Sequence, residues 1–127
     1  MTENQIGKIV VDAAIALHRS LGPGLLETVY EITLAYELQK SGLIVQRQVP
    51  IPIIYDNLHF DEGFRADIIV NGLVVLELKS VTAISPAHRK QIQTYLRLSS
   101  KKLGFLLNFG EALMKNGIVR AVNGLEE

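Results

Sequence analysis

Apolar residues near the start of the chain recur at helical intervals: Ile6, Ile9, Val10, Ala13, Ala14, Leu17 and Leu21 fall along one helix, and Thr2 and Gln5 have the spacing of a capping box at its start. Gly22-Pro23-Gly24 ends that helix, because proline lacks an amide donor and glycine tolerates positive φ. A second helix is expected to start around Leu25 to Thr28, to carry Leu26, Val29, Tyr30, Leu34 and Leu38, and to stop at Gly42. From Leu43 the period drops to that of a strand, with Val45, Arg47, Val49, Ile51, Ile53 and Tyr55 on one parity. Pro50 and Pro52 share the other parity, which puts this strand at a sheet edge or gives it a bulge.

Two further strands, Phe64 to Val70 and Leu73 to Ser80, flank Asn71-Gly72, a strong hairpin signal, so the three strands form a meander. Ser85-Pro86 supplies a cap and a first-turn proline for a helix running to about Ser99. The apolar run Leu103 to Phe109 reads as a buried strand and Gly117 to Val122 as a shorter one. The order is ααβββαββ. This is an α/β chain with a mixed sheet, read as one domain over residues 1–127, with no repeat, low-complexity tract or linker.

A chain of 127 residues, 48% hydrophobic, buries enough surface to fold without metal or disulfide. The absence of cysteine excludes disulfide frameworks, thiolate zinc sites and cysteine nucleophiles together, so any metal must be held by oxygen or imidazole. No apolar run approaches the ~20 residues of a membrane span, and the first residues lack the basic stretch of a signal peptide. The expectation is a cytoplasmic protein with no membrane partner.

Net charge is zero, but unevenly spread: residues 1–78 carry 10 acids and 5 bases, residues 79–127 carry 3 acids and 8 bases. No acid lies between Lys79 and Gly110. Such a stretch suits a polyanion, and equally well pairs with the acidic half across the fold.

The hairpin places Asp67 on one strand and Glu77-Leu78-Lys79 on the next, in otherwise apolar surroundings. A charge desolvated in a sheet costs several kcal/mol unless it is paired or binds a metal. Glu77 and Lys79 share a face, and a hard divalent cation such as Mg²⁺ suits two carboxylates, a backbone carbonyl and waters. A lysine beside that cation would polarise a scissile phosphate or its attacking water. A buried salt-bridge triad is the alternative. The loop decides between them. A strict two-residue turn pairs Val70 with Leu73 and sends Asp67 and Glu77 to opposite faces, whereas a three-residue loop, pairing Val70 with Val74 and Asp67 with Glu77, or an intervening bulge keeps them together. Both faces are apolar, so alternation leaves the register open.

His88, Gln91 and Tyr95 line one face of the third helix. Lys90, Arg97 and Lys101 recur at helical spacing and are expected to contact phosphates. Glu27, at a helix start, is favoured by the dipole alone, but Gly22-Pro23-Gly24 would aim it toward the sheet. Tyr30, one turn later, would either orient the Glu27 carboxylate or simply pack.

Asp67 followed by Glu77-x-Lys79 resembles the signature of the PD-(D/E)XK nuclease superfamily, whose restriction-endonuclease-like core has αβββαβ topology, here preceded by an extra N-terminal helix. Gly24-Leu-Leu-Glu27-Thr-Val-Tyr30 resembles the motif of the GxxExxY family within it, and the resemblance runs from His18-Arg-Ser-Leu-Gly-Pro-Gly through Arg65-Ala-Asp and Glu77-Leu-Lys to Asn108-Phe-Gly. Ala66 stands where the superfamily has proline. Gln91-Ile-Gln-Thr-Tyr95 resembles the Gln-x-x-x-Tyr motif of RecB-like and Cas-associated nucleases. The resemblance implies a Mg²⁺- or Mn²⁺-dependent nuclease acting on DNA or RNA, with Glu27, Asp67 and Glu77 as metal ligands and Lys79 as catalytic lysine. Gln91 would join the catalytic set, and Tyr30, His88 and Tyr95 would support it. Specificity would come from a second copy or a helicase partner, because no extra recognition domain is present. A non-catalytic nucleic-acid- or protein-binding module retaining the fold is the alternative.

Overall fold

The computed structural model describes residues 1–126. Helices α1 (Glu3–Leu21) and α2 (Glu27–Lys40) are followed by strands β1 (Val45–Tyr55), β2 (Leu58–Val70) and β3 (Val74–Lys79). Helix α3 (Pro86–Ser99), strand β4 (Leu103–Asn108), a 3-10 turn (Met114–Asn116) and strand β5 (Ile118–Val122) complete the chain. The expected ααβββαββ order is recovered. The capping box of α1 forms as its sequence requires, the Thr2 hydroxyl accepting from the Gln5 amide while Gln5 returns the bond.

The strands form a single mixed sheet in the order β1-β2-β3-β4-β5. All neighbours are antiparallel except β3 and β4, which run parallel with α3 as the crossover between them. Because helices cover both faces there, β4 is buried throughout and β3 nearly so, which accounts for their continuous apolar sequence. On one face α1 and α2 pack Ile6, Val10, Leu34 and Leu38 against Ile68, Val70, Leu76 and Leu78. On the other, Ile92 and Leu96 of α3 pack against Ile69, Val75 and Leu106. Among the described residues no helix is long and apolar enough to cross a membrane.

Of the two readings of the proline pair, the edge strand holds, while the irregularity beside Pro52 places its extra residues in β2. Strand β1 is an edge strand, and its register against β2 shifts between Ile51 and Ile53, at Pro52. Strand β2 begins at Leu58 rather than Phe64, so the β1–β2 ribbon runs well past β3, whose pairing starts only at Ile68.

Candidate active site

The β2–β3 loop resolves the register left open by the sequence. Val70 pairs with Val74, leaving Asn71, Gly72 and Leu73 as a three-residue loop. Asn71 and Gly72 take positive φ, 52° and 65°, a pair of left-handed residues that this dipeptide adopts readily. The Leu73 amide closes the loop on the Val70 carbonyl at 3.0 Å. Strand β3 therefore starts one residue later than the tight turn predicts, and Asp67 comes opposite Glu77.

Beyond the Ile68–Leu76 pair, side chains take over the ladder. The Asp67 amide donates to Glu77 Oε1 at 3.3 Å, and the Leu78 amide donates to Asp67 Oδ2 at 2.8 Å. Each carboxyl group thus satisfies a backbone donor at the point where the strands part. Alternation along β2 also breaks there, since Ile69 and Ala66 both join the α3-side core. Opposite, Gln48 adopts φ 51° and turns the same way as Arg47, so that both reach Glu31 of α2.

Glu77 is only 5% exposed. Burial, then the charge of Asp67, pushes its carboxyl pKa up to about 9, with Lys79 pulling the other way. Without a cation, one acid of the pair holds its proton at neutral pH. Lys79, half-buried, follows on the same strand face. Tyr95 of α3 feels the pair: its hydroxyl pKa is raised by burial and then by the charges of Glu77 and Asp67, and its ring stacks on Phe64 at 3.9 Å between centroids. Gln91 lies half-buried one turn earlier on that helix.

Other predicted residues take different places. Glu27 is the first residue of α2 and is exposed. It shares a helical face with the buried Glu31, Leu34 and Leu38, so it points toward the sheet side. The Ser80 hydroxyl donates to the Leu25 carbonyl at 2.9 Å, tying the entrance of α2 to the residue after Lys79. Among the described residues, however, no three His, Cys, Asp or Glu side chains gather as a metal-holding group. The expected three-carboxylate convergence is not formed: Asp67 and Glu77 meet as a pair, with Glu27 outside it.

Tyr30 does not orient Glu27. Its hydroxyl donates to the Gly22 carbonyl at 2.6 Å and accepts from the Leu25 amide at 3.0 Å, closing the loop that leads into α2, while its ring stacks on Phe109. His88 works as a cap: its Nδ1 accepts from the Ser85 amide at 3.1 Å and its own amide donates to the Ser85 hydroxyl. Lys90 and Arg97 are exposed on α3, turned away from Ile92 and Leu96. Lys101 departs from their helical spacing, because α3 stops at Ser99 and Ser100 turns left-handed at φ 57°.

Two positioning residues received no role from the sequence, although Asn108 lies in the quoted Asn108-Phe-Gly run. Glu31 is buried beneath the first turns of α2 and holds Arg47 and Gln48, each at 2.6 Å. Its place four residues after Glu27 on an apolar face was the available signal. Asn108 is fully buried; its Oδ1 accepts from the Val81 and Gly110 amides and its Nδ2 donates to the Val81 carbonyl, all at 3.0 Å. It pins the segment that follows Lys79. Only glycine fits at Gly110, since a Cβ there would run into the Val81 backbone.

A buried Glu77 carboxyl whose pKa is pushed up by burial and by the charge of the adjacent Asp67 is an arrangement a divalent cation would relieve, so Asp67 and Glu77 fit a hard metal ion as donors. A profile of the PD-(D/E)XK nuclease superfamily matches residues 4–121, and the chain belongs to that superfamily. No curated protein and no solved structure matches it.

Proposed function

We propose that this member of the PD-(D/E)XK nuclease superfamily is a Mg²⁺- or Mn²⁺-dependent nuclease hydrolysing phosphodiester bonds of DNA or RNA. The observation that supports this reading is the Asp67–Glu77 pair, interlocked across parting strands with Lys79 on the same face. Asp67 and Glu77 would hold the cation, with Glu27 approaching from the start of α2. Such a cation, when bound, supplies positive charge against the developing phosphate charge and acidifies water. Lys79 would stabilise charge on the phosphate oxygens in the transition state, and Tyr95 would exclude water from one side of the acids. Gln91, a turn before Tyr95, would contact the substrate backbone or the attacking water. The Gly24-Leu-Leu-Glu27-Thr-Val-Tyr30 run supports placing the chain in the GxxExxY group: Tyr30 closes the loop, Gly24 takes φ 95°, and Glu27 emerges on the sheet side.

One observation favours the non-catalytic alternative. A protonated Glu77 bonded across to Asp67 also works as a lock on the hairpin, with no need of a substrate. The two readings separate in one assay, cleavage of single- and double-stranded DNA and RNA with Mg²⁺ or Mn²⁺, run beside a binding titration. Metal-dependent cleavage lost in Glu77→Gln supports the nuclease. Binding without cleavage on every substrate replaces it with the module. Specificity would then rest on a second copy or a helicase partner, to be sought by pull-down and sedimentation.

A further inference from the structure

A cavity lies away from the acid pair, between the last turns of α1 and the segment around the 3-10 turn. We infer that this cavity is a nucleotide-binding pocket, in which Arg19 and Lys115 hold a phosphate and the base lies over an apolar floor. The inference rests on the nuclease reading for its choice of ligand.

The cavity encloses about 570 Å³, within the range typical of small-ligand sites. Its floor is made by Ile15, Pro23, Leu113 and Met114, and no Asp or Glu lines it. Arg19 and Lys115 are exposed at its rim and, among the described residues, have neither an ion pair nor a hydrogen bond. Two cations without a side-chain partner, on a lining that holds apolar side chains and no Asp or Glu, suit an anion that carries an apolar body. The walls are fixed before any ligand arrives: His18, 5% exposed, bonds through Nε2 to the Glu111 carbonyl at 2.8 Å, and Tyr30 holds Gly22. A preformed pocket avoids the ordering loss that would otherwise weaken binding. The choice of a nucleotide comes from location. The Gly22-Pro23 wall continues to Leu25, which Ser80 bonds directly after Lys79. The segment from His18 to Gly24 is otherwise unused by the acid pair.

The test is a methyl NMR titration of the full chain with deoxyadenosine monophosphate, deoxyadenosine and inorganic phosphate. A second arm uses Glu77→Gln protein with a short oligonucleotide. The monophosphate should shift the methyl signals of Ile15, Leu113 and Met114 and bind more tightly than either fragment. The double variant Arg19→Ala/Lys115→Ala, altered only at exposed positions, should weaken it by about tenfold or more. Oligonucleotide binding that weakens in parallel assigns the pocket to a nucleotide of the substrate strand; unchanged oligonucleotide binding assigns it to a free nucleotide. Inorganic phosphate binding as tightly as the monophosphate, or a double variant that binds it like the parent, overturns the pocket. Leu113→Ala should weaken the monophosphate while leaving phosphate unaffected. If the monophosphate seats while no substrate is cleaved, the pocket stands and the nuclease reading falls; cleavage without seating does the reverse.

Discussion

Asp67 and Glu77 are locked across the β2–β3 pair, the Asp67 amide donating to Glu77 Oε1 at 3.3 Å while Asp67 Oδ2 accepts from the Leu78 amide beside Glu77 at 2.8 Å. The lock spends one oxygen of each carboxyl group on backbone. Among the described residues the other oxygen of each makes no hydrogen bond to the main chain, and the charges of both acids, after burial, raise the pKa of the Tyr95 hydroxyl. Two acids are thereby held so close that, without a cation, Glu77 keeps its proton.

A cation should relieve that repulsion, and binding to the folded state alone raises stability by mass action, roughly 2.7 kcal/mol at a hundred times Kd. Melting with Mn²⁺ or Mg²⁺ should therefore occur above melting in EDTA, and Glu77→Gln should remove the difference. Coincident curves for the parent protein would eliminate the metal site.

The metal-free protein should lose stability as pH rises. Glu77 has a folded pKa of about 9 against an ordinary 4.5, so between those values the folded state keeps a proton that the unfolded chain releases. Stability is highest with respect to this group below the lower value and declines toward the upper one. Urea unfolding in EDTA from about pH 5 to about pH 9 measures it, with Glu77→Gln expected to flatten the profile. A rise in stability over this range would contradict the buried, protonated Glu77.

Lys79→Ala should lower cleavage by ~100-fold or more, as for removal of a preorganised charge that acts on the transition state, with little change in nucleic-acid affinity. Parallel single-turnover and binding measurements check it. Equal losses in both would make Lys79 a binding residue.

Lys90 and Arg97 lie on the solvent side of α3, so Lys90→Gln and Arg97→Gln should weaken nucleic-acid binding alike for all sequences and reduce the salt slope by about one counterion each. Slopes identical to the parent would place the polyanion elsewhere.

Tyr30→Phe removes one donor and one acceptor from the Gly22–Leu25 loop while keeping the stack on Phe109. Thermal or urea unfolding should show a loss of about 1–3 kcal/mol. Stability equal to the parent would mean that water replaces the hydroxyl without penalty.

Sequence alone determined the order of helices and strands, though not the early start of β2 at Leu58, because most of them are signalled locally. The Thr2 and Gln5 capping box, the helical spacing of Ile6 to Leu21, the Ser85-Pro86 start and the apolar runs of β3 and β4 act within a few residues of chain. The motif residues Asp67, Glu77 and Lys79 could be picked out for the same reason: charges stand out in apolar strands. Their meeting could not. It depends on whether the Asn71-Gly72 turn holds two residues or three, and with both sheet faces covered by helices no alternation of polar and apolar side chains records the answer. The place of Tyr30 was likewise decided by tertiary structure, its ring stacking on the distant Phe109 while its hydroxyl takes the Gly22 carbonyl, whereas His88 is held by a capping box with Ser85 three residues before it, a local spacing the sequence carries. Glu27 shows the remaining gap: its helical phase aims it to the sheet side, but how far it stands from Asp67 and Glu77 is set by the packing of α2 as a body, which no spacing along the chain encodes.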